Sequence, residues 1–207
     1  MELIRIDPRD PDPELIHRAA RAILAGGVVA APSDTVYGFL ARPSHPAACA
    51  ELGRLKSRPG PFLVLVATWH QARALSRGVG EDTWERLARV WPGPITVVLP
   101  AAPGLPGATE DTIALRMPES PLLLAILREV GEPLFSTSAN RAGRPAPVSA
   151  DQVVGEFPDR LTLVLDGGPA PSREPSTLVD LAGAVPRVLR AGAGDPAPLL
   201  DPGRGGV

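Results

Sequence analysis

Two runs, ITVVLPA (Ile95–Ala101) and TIALRMP (Thr112–Pro118), decide the fold class. Each is short, rich in β-branched and aliphatic residues and bounded by breakers, with Pro92-Gly93-Pro94 ahead of the first, so each reads as a strand. No helical pattern lies between them. Two strands that follow one another without a crossover helix do not fit an all-parallel α/β sheet, and a mixed sheet is expected.

The pattern extends outward in both directions from this pair. Upstream, FLVLVA from Phe62 is a continuous apolar run of the kind found in strands buried on both faces, and helical stretches follow at Thr68–Arg77 and Glu81–Trp91. Downstream, a helix from Ser120 to Val130 precedes the strand in PLFSTSAN (133–140). Near the start, Asp12 as N-cap, Pro13 at the first helical position and Gly26-Gly27 as terminator frame a helix. The strand VVAAP from Val28, a polar turn SDTVYGF and a helix from His45 to Lys56 come next. The last third holds a helix from Ser149 to Phe157 and strands at Leu161–Asp166, Ser176–Leu181 and Arg187–Ala191. The 21 Gly and 26 Pro are spread along the connections instead of marking one linker. The expectation is therefore α/β (α+β), a single domain over residues 1–191 with a twisted mixed sheet flanked by helices, followed by a loose tail at 192–207.

Composition narrows the function. With 207 residues, 44% hydrophobic and 21% charged, the chain is long enough to bury a sizeable core and is neither fibrous nor disordered. It holds no apolar run near the roughly 20 residues that cross a bilayer, and its start is too acidic and Pro-rich for a secretory signal. No membrane association and a cytoplasmic location are expected. Cys49 is the only cysteine, which excludes an intrachain disulfide, and no metal-ligand spacing or P-loop motif occurs, so no protein-built metal site is expected. A net charge of −2 provides no global basic field.

Of 21 basic residues 20 are Arg, and Lys56 is the only lysine; Asn140 is the only Asn and Tyr37 the only Tyr. All three fall inside polar clusters at strand or helix ends: Ser33–Gly38, Lys56–Pro59, Ser136–Asn140, with Arg116, Pro175–Thr177 and Arg190 completing the set. Ligands in open α/β sheets bind beyond strand ends, so these clusters can converge on one cleft. Cations at 56, 58, 116 and 190 with hydroxyl and amide donors suit a polyphosphate or a carboxylate.

The ordered set PSDTVYG, KSRP, WPGPITVVLPA, ALRMP, STSANRAGRP, PSTLVDL and VLRAGA, from about Ala30 to Ala193, resembles the YrdC-like threonylcarbamoyl-AMP synthase family. That resemblance implies a concave basic cleft and the formation of L-threonylcarbamoyl-AMP and pyrophosphate from ATP, L-threonine and bicarbonate. The product serves N6-threonylcarbamoyladenosine formation in tRNA, through downstream transferase proteins. Ser33, Arg116, Ser136 and Ser176 would hold threonine; Lys56 and Arg58 would bind the ATP phosphates and carry catalysis. Ser138, Asn140 and Arg190 would complete the nucleotide pocket, and Thr35 and Tyr37 would shape its floor. Mg²⁺ would arrive with ATP. The loop after Arg58 is shorter than the family pattern. Two other readings stay open: a module that binds RNA, weakly, on the concave face, and a carbamoyl-adenylate enzyme that takes carbamoyl phosphate.

Overall fold

The computed structural model describes residues 1–104 and 111–200. Strands β1 (Glu2–Arg5), β2 (Val29–Pro32), β3 (Tyr37–Ala41), β4 (Leu63–Leu65), β5 (Ile95–Pro100), β6 (Thr112–Arg116), β7 (Leu134–Ser138), β8 (Leu163–Asp166), β9 (Thr177–Asp180) and β10 (Arg187–Arg190) form one sheet. The helices are α1 (Pro13–Leu24), α2 (Pro46–Lys56), α3 (Trp69–Ala74), α4 (Glu81–Leu87), α5 (Pro121–Val130), α6 (Ala150–Glu156) and α7 (Ala197–Leu200). The strand order is β1-β8-β2-β3-β7-β4-β6-β5-β9-β10. The ITVVLPA and TIALRMP runs form β5 and β6, which pair antiparallel, with Val98 opposite Ala114. β4 with β6 and β5 with β9 are parallel, so the sheet is mixed.

Local chemistry sets the helix ends. Asp12 accepts from the Glu14 amide at 2.8 Å and Pro13 occupies the first turn, while Ser120 caps α5 through the Leu123 amide at 3.3 Å. Gly26 stands at φ +87°, and a Cβ there would lie 2.3 Å from the His45 ring, so conformation and space both demand glycine at the end of α1.

Each face of the sheet carries its own core. On one, Ile16, Ala19 and Ile23 of α1 and Leu122, Ile126 and Leu127 of α5 cover Val29, Leu40, Leu65, Leu163 and Leu165. On the other, Leu52, Leu55, Trp84, Leu87 and Val153 pack onto Phe39, Val64, Val97, Leu99, Leu115 and Val164. Phe39 meets Phe157 edge to face at 5.1 Å. Because α1 and α5 stop short of β6, β5 and β9, part of the first face is left uncovered.

Three expectations need correction. Glu2–Arg5, where the sequence pattern announces no element, is an edge strand parallel to β8. The polar turn SDTVYGF ends at Val36, and Tyr37–Ala41 forms β3, antiparallel to both β2 and β7. The tail is not loose through residue 200. The Thr177 hydroxyl donates to the Gly194 carbonyl at 2.6 Å, and Leu199 is buried beneath α4 through packing that no periodic pattern announced. Residues 201–207 lie outside the described residues.

Candidate active site

The uncovered part of the sheet face is a cavity of 280 Å³. Strand alternation builds it: Thr96 and Val98 of β5, Ala114 and Arg116 of β6, Ser136 and Ser138 of β7 and Leu178 of β9 face it, while their neighbours Ile95, Val97, Ile113, Leu115 and Val179 face the opposite core. Among the described residues three arginines, Arg58, Arg116 and Arg190, line it, and no carboxylate, histidine or cysteine does. Such a concavity favours an anionic ligand.

Arg116 is the most constrained of the three. It is buried, its Nε donates to the Gly93 carbonyl at 3.1 Å and its Nη1 to the Thr35 hydroxyl at 3.3 Å. Its Nη2 lies 2.7 Å from Asp34 Oδ1 as a charge pair, yet out of line for a hydrogen bond, so neither atom has a hydrogen-bond partner among the described residues. Asp34 Oδ2 accepts from the Glu119 amide at 3.2 Å, which ties the Ser33–Val36 turn to the end of β6. Ser33 builds that turn, its Oγ accepting from the Thr35 and Val36 amides and donating to the Val36 carbonyl at 2.7 Å.

Arg190 Nη2 donates to the Ser176 carbonyl at 2.8 Å, and desolvation together with the Arg116 charge lowers its pKa. The Ser176 and Thr96 hydroxyls are paired at 2.7 Å. Arg58 folds back on its short loop, donating to the Pro61 carbonyl at 2.6 Å with its guanidinium over the Phe62 ring.

Eight of the residues singled out from the sequence thus meet at the cavity: Ser33, Thr35, Arg58, Arg116, Ser136, Ser138, Ser176 and Arg190. Lys56, Asn140 and Tyr37 are not among its lining. The Tyr37 phenol faces the other core, where it donates to the Gly168 carbonyl at 2.7 Å and accepts from the Gly167 amide; burial pushes its pKa up to about 12. It pins the β8–β9 connection. Lys56 and Asn140 bond to each other. Sequence reasoning assigned no role to Asp34 or Thr96. Asp34 lies inside the PSDTVYG cluster, and Thr96 is the one polar residue within the ITVVL run, a signal that was there to be read.

A mixed sheet with an arginine-lined cleft defines an α/β protein whose cavity suits an anionic ligand. The Sua5/YciO/YrdC family model, described as telomere recombination, matches residues 21–192. A threonylcarbamoyl-AMP synthase from Chromobacterium violaceum is 36% identical over 188 residues, 88% of this chain and 96% of that protein. One from Bacillus subtilis is 36% identical across 87% of this chain, which spans only 54% of it. Pyrococcus abyssi Sua5, crystallised with L-threonine, superposes with a TM-score of 0.86 at 31% identity, covering 93% of this chain and 58% of its own. Escherichia coli YciO superposes at 0.89 with 26% identity, covering 97% and 100%. The chain belongs to the Sua5/YciO/YrdC family, and it resembles that family's threonylcarbamoyl-AMP synthases in sequence over most of its length.

Proposed function

We propose that this protein is a threonylcarbamoyl-AMP synthase. The observation that carries the reading is the cavity lined, among the described residues, by three arginines and several hydroxyls; the L-threonine bound to Pyrococcus abyssi Sua5 supports it. Bicarbonate and the threonine amine condense to a carbamate with loss of water. A carbamate oxygen then attacks the α-phosphorus of ATP, the bond to the β-phosphate oxygen breaks, and pyrophosphate leaves. Nucleophile, transferred group and leaving group are all anionic, so positioned cations supply catalysis by orientation and charge neutralisation, without a covalent nucleophile.

In this reading Arg116 holds the threonine carboxylate, with Ser33, Ser136 and Ser176 around the same amino acid. Arg58 and Arg190 take the phosphates, and Ser138 lies beside the nucleotide. In this reading Mg²⁺ enters as part of the ATP substrate, held by phosphate oxygens and water.

The purified protein is expected to release pyrophosphate from ATP only with both L-threonine and bicarbonate present. Equal release without threonine removes the reading, and release driven by carbamoyl phosphate in place of bicarbonate favours the carbamoyl-adenylate enzyme.

The adenylate it makes is a reactive donor, so a separate transferase passes the group to tRNA, and weak RNA contact with the concave face belongs to the same proposal. The chain with tRNA, ATP, threonine and bicarbonate is expected to leave the tRNA unmodified. Threonylcarbamoyladenosine appearing in nucleoside analysis of that mixture counts against a separate transfer step. Cytoplasmic placement is likewise proposed; among the described residues no helix is long and apolar enough to cross a membrane.

A further inference from the structure

We infer that Lys56 is a positioning residue, a peg that locks the turn after β7 to the end of α2 and so sets the cavity wall, and that it does not touch the substrates. The activity arm of its test rests on the synthase reading; the structural arm does not.

The Lys56 ammonium donates to the Ser138 carbonyl at 2.8 Å, the Asn140 carbonyl at 2.6 Å and Asn140 Oδ1 at 2.9 Å. An ammonium has three N–H donors, and all three are spent on this one turn. Lys56 is 5% exposed and is absent from the cavity lining, whereas Ser138 and Arg58, on the two segments it joins, are present there. The joint continues beyond the lysine. The Ser138 hydroxyl donates to Asn140 Oδ1, Asn140 Nδ2 donates to the Arg144 carbonyl, and the Ala139 amide donates to the Tyr37 carbonyl at 2.9 Å.

This geometry accounts for two of the chain's single-copy residues. Three oxygens converge on one nitrogen, an arrangement that suits a compact tetrahedral ammonium and not a guanidinium, whose donors fan out in a plane. Position 140 must accept from Lys56 and donate to Arg144 at once. Asparagine does both; an aspartate has no proton to donate. The acceptors are neutral and the flanking charges are Arg58 on the same loop and Glu156 of α6, so burial pushes the Lys56 pKa down to about 8.

The experiment compares Lys56→Arg, Lys56→Met and Asn140→Ala with the wild type by amide hydrogen exchange of the ligand-free protein and by steady-state pyrophosphate release, with Tm as folding control. The expected result is an Ala139 amide that exchanges at least about tenfold faster in each variant while the β5 amides keep their protection. Turnover should fall about tenfold or more with KM for ATP changed less than about threefold. In the Lys56→Met/Asn140→Ala double variant the losses should fail to multiply, because both break one joint. Unchanged exchange at Ala139 with a KM for ATP raised tenfold, or losses that multiply, overturns the proposal and returns Lys56 to the phosphates. If Lys56→Met does not fold, Asn140→Ala, which leaves the backbone acceptors in place, carries the same readouts. If the wild type shows no threonine-dependent release, the synthase reading fails while the exchange comparison still decides the peg.

Discussion

Arg116→Ala is expected to raise the threonine concentration needed for half-maximal pyrophosphate release by about ten- to a hundredfold and to change the ATP requirement far less. The range corresponds to one charge-assisted, doubly donating contact with a carboxylate, on the order of 1.5–3 kcal/mol. The variant should also lose stability. Its removal strands Asp34, whose side chain is only 10% exposed, without its charge partner. Breaking a buried pair by deleting one member costs about 3–5 kcal/mol, because the remaining charge is left uncompensated. Combining it with Asp34→Asn removes that charge, so the double variant should recover part of the lost Tm and none of the lost threonine affinity. A titration in which both ligands weaken equally would take Arg116 out of the threonine role, and a double variant as unstable as the single would deny the ion pair its structural part.

Gly192→Ala should damage fold and site together. A Cβ there would lie 2.2 Å from the Pro175 carbonyl oxygen and 2.7 Å from the Ser176 carbonyl carbon, and backbone atoms cannot rotate away as side-chain tips can. Overpacking of this kind costs about 1–3 kcal/mol, occasionally more. Relief requires moving the start of β9 or the exit of β10. That displaces Ser176 and Arg190, which are bonded to each other. Threonine-dependent release is expected to drop about tenfold or more, with a lower Tm. Gly183→Ala is the control, since the nearest atom to its added Cβ is 3.9 Å away. An active, wild-type-stable Gly192→Ala protein would show that the segment after β10 is not packed against the site.

The expected and observed elements part company where local signal is weak. α1 was legible because cap, first-turn proline, apolar face and terminating glycines all agree on its bounds. β1 was not, since Glu2–Arg5 has four residues, none fully buried, and depends on the β8 edge for its hydrogen bonds. β3 was hidden because its first turn is polar and carries site residues, while the strand proper begins only at the buried Tyr37. The segment from Gly192 lacks periodicity, yet Thr177 and the α4 surface hold it as far as Leu200.

By itself the sequence determined the class of the sheet and the cast of the site. The β5–β6 succession without a crossover helix argues against an all-parallel sheet, and a chain that has one Lys, one Asn and one Tyr marks places where side-chain chemistry is not interchangeable. Only the tertiary structure decided which of those residues line the cavity and which turn away from it. Strand order and crossover bring Ser33, Arg116, Ser176 and Arg190 to one face, whereas Tyr37 and Lys56 turn their polar atoms onto backbone carbonyls and Asn140 bonds to Lys56, Ser138 and the Arg144 carbonyl. Residue identity records that a position demands an ammonium or an amide. Whether the demand comes from a substrate or from converging carbonyl oxygens depends on direction, which strand pleat and long-range pairing set.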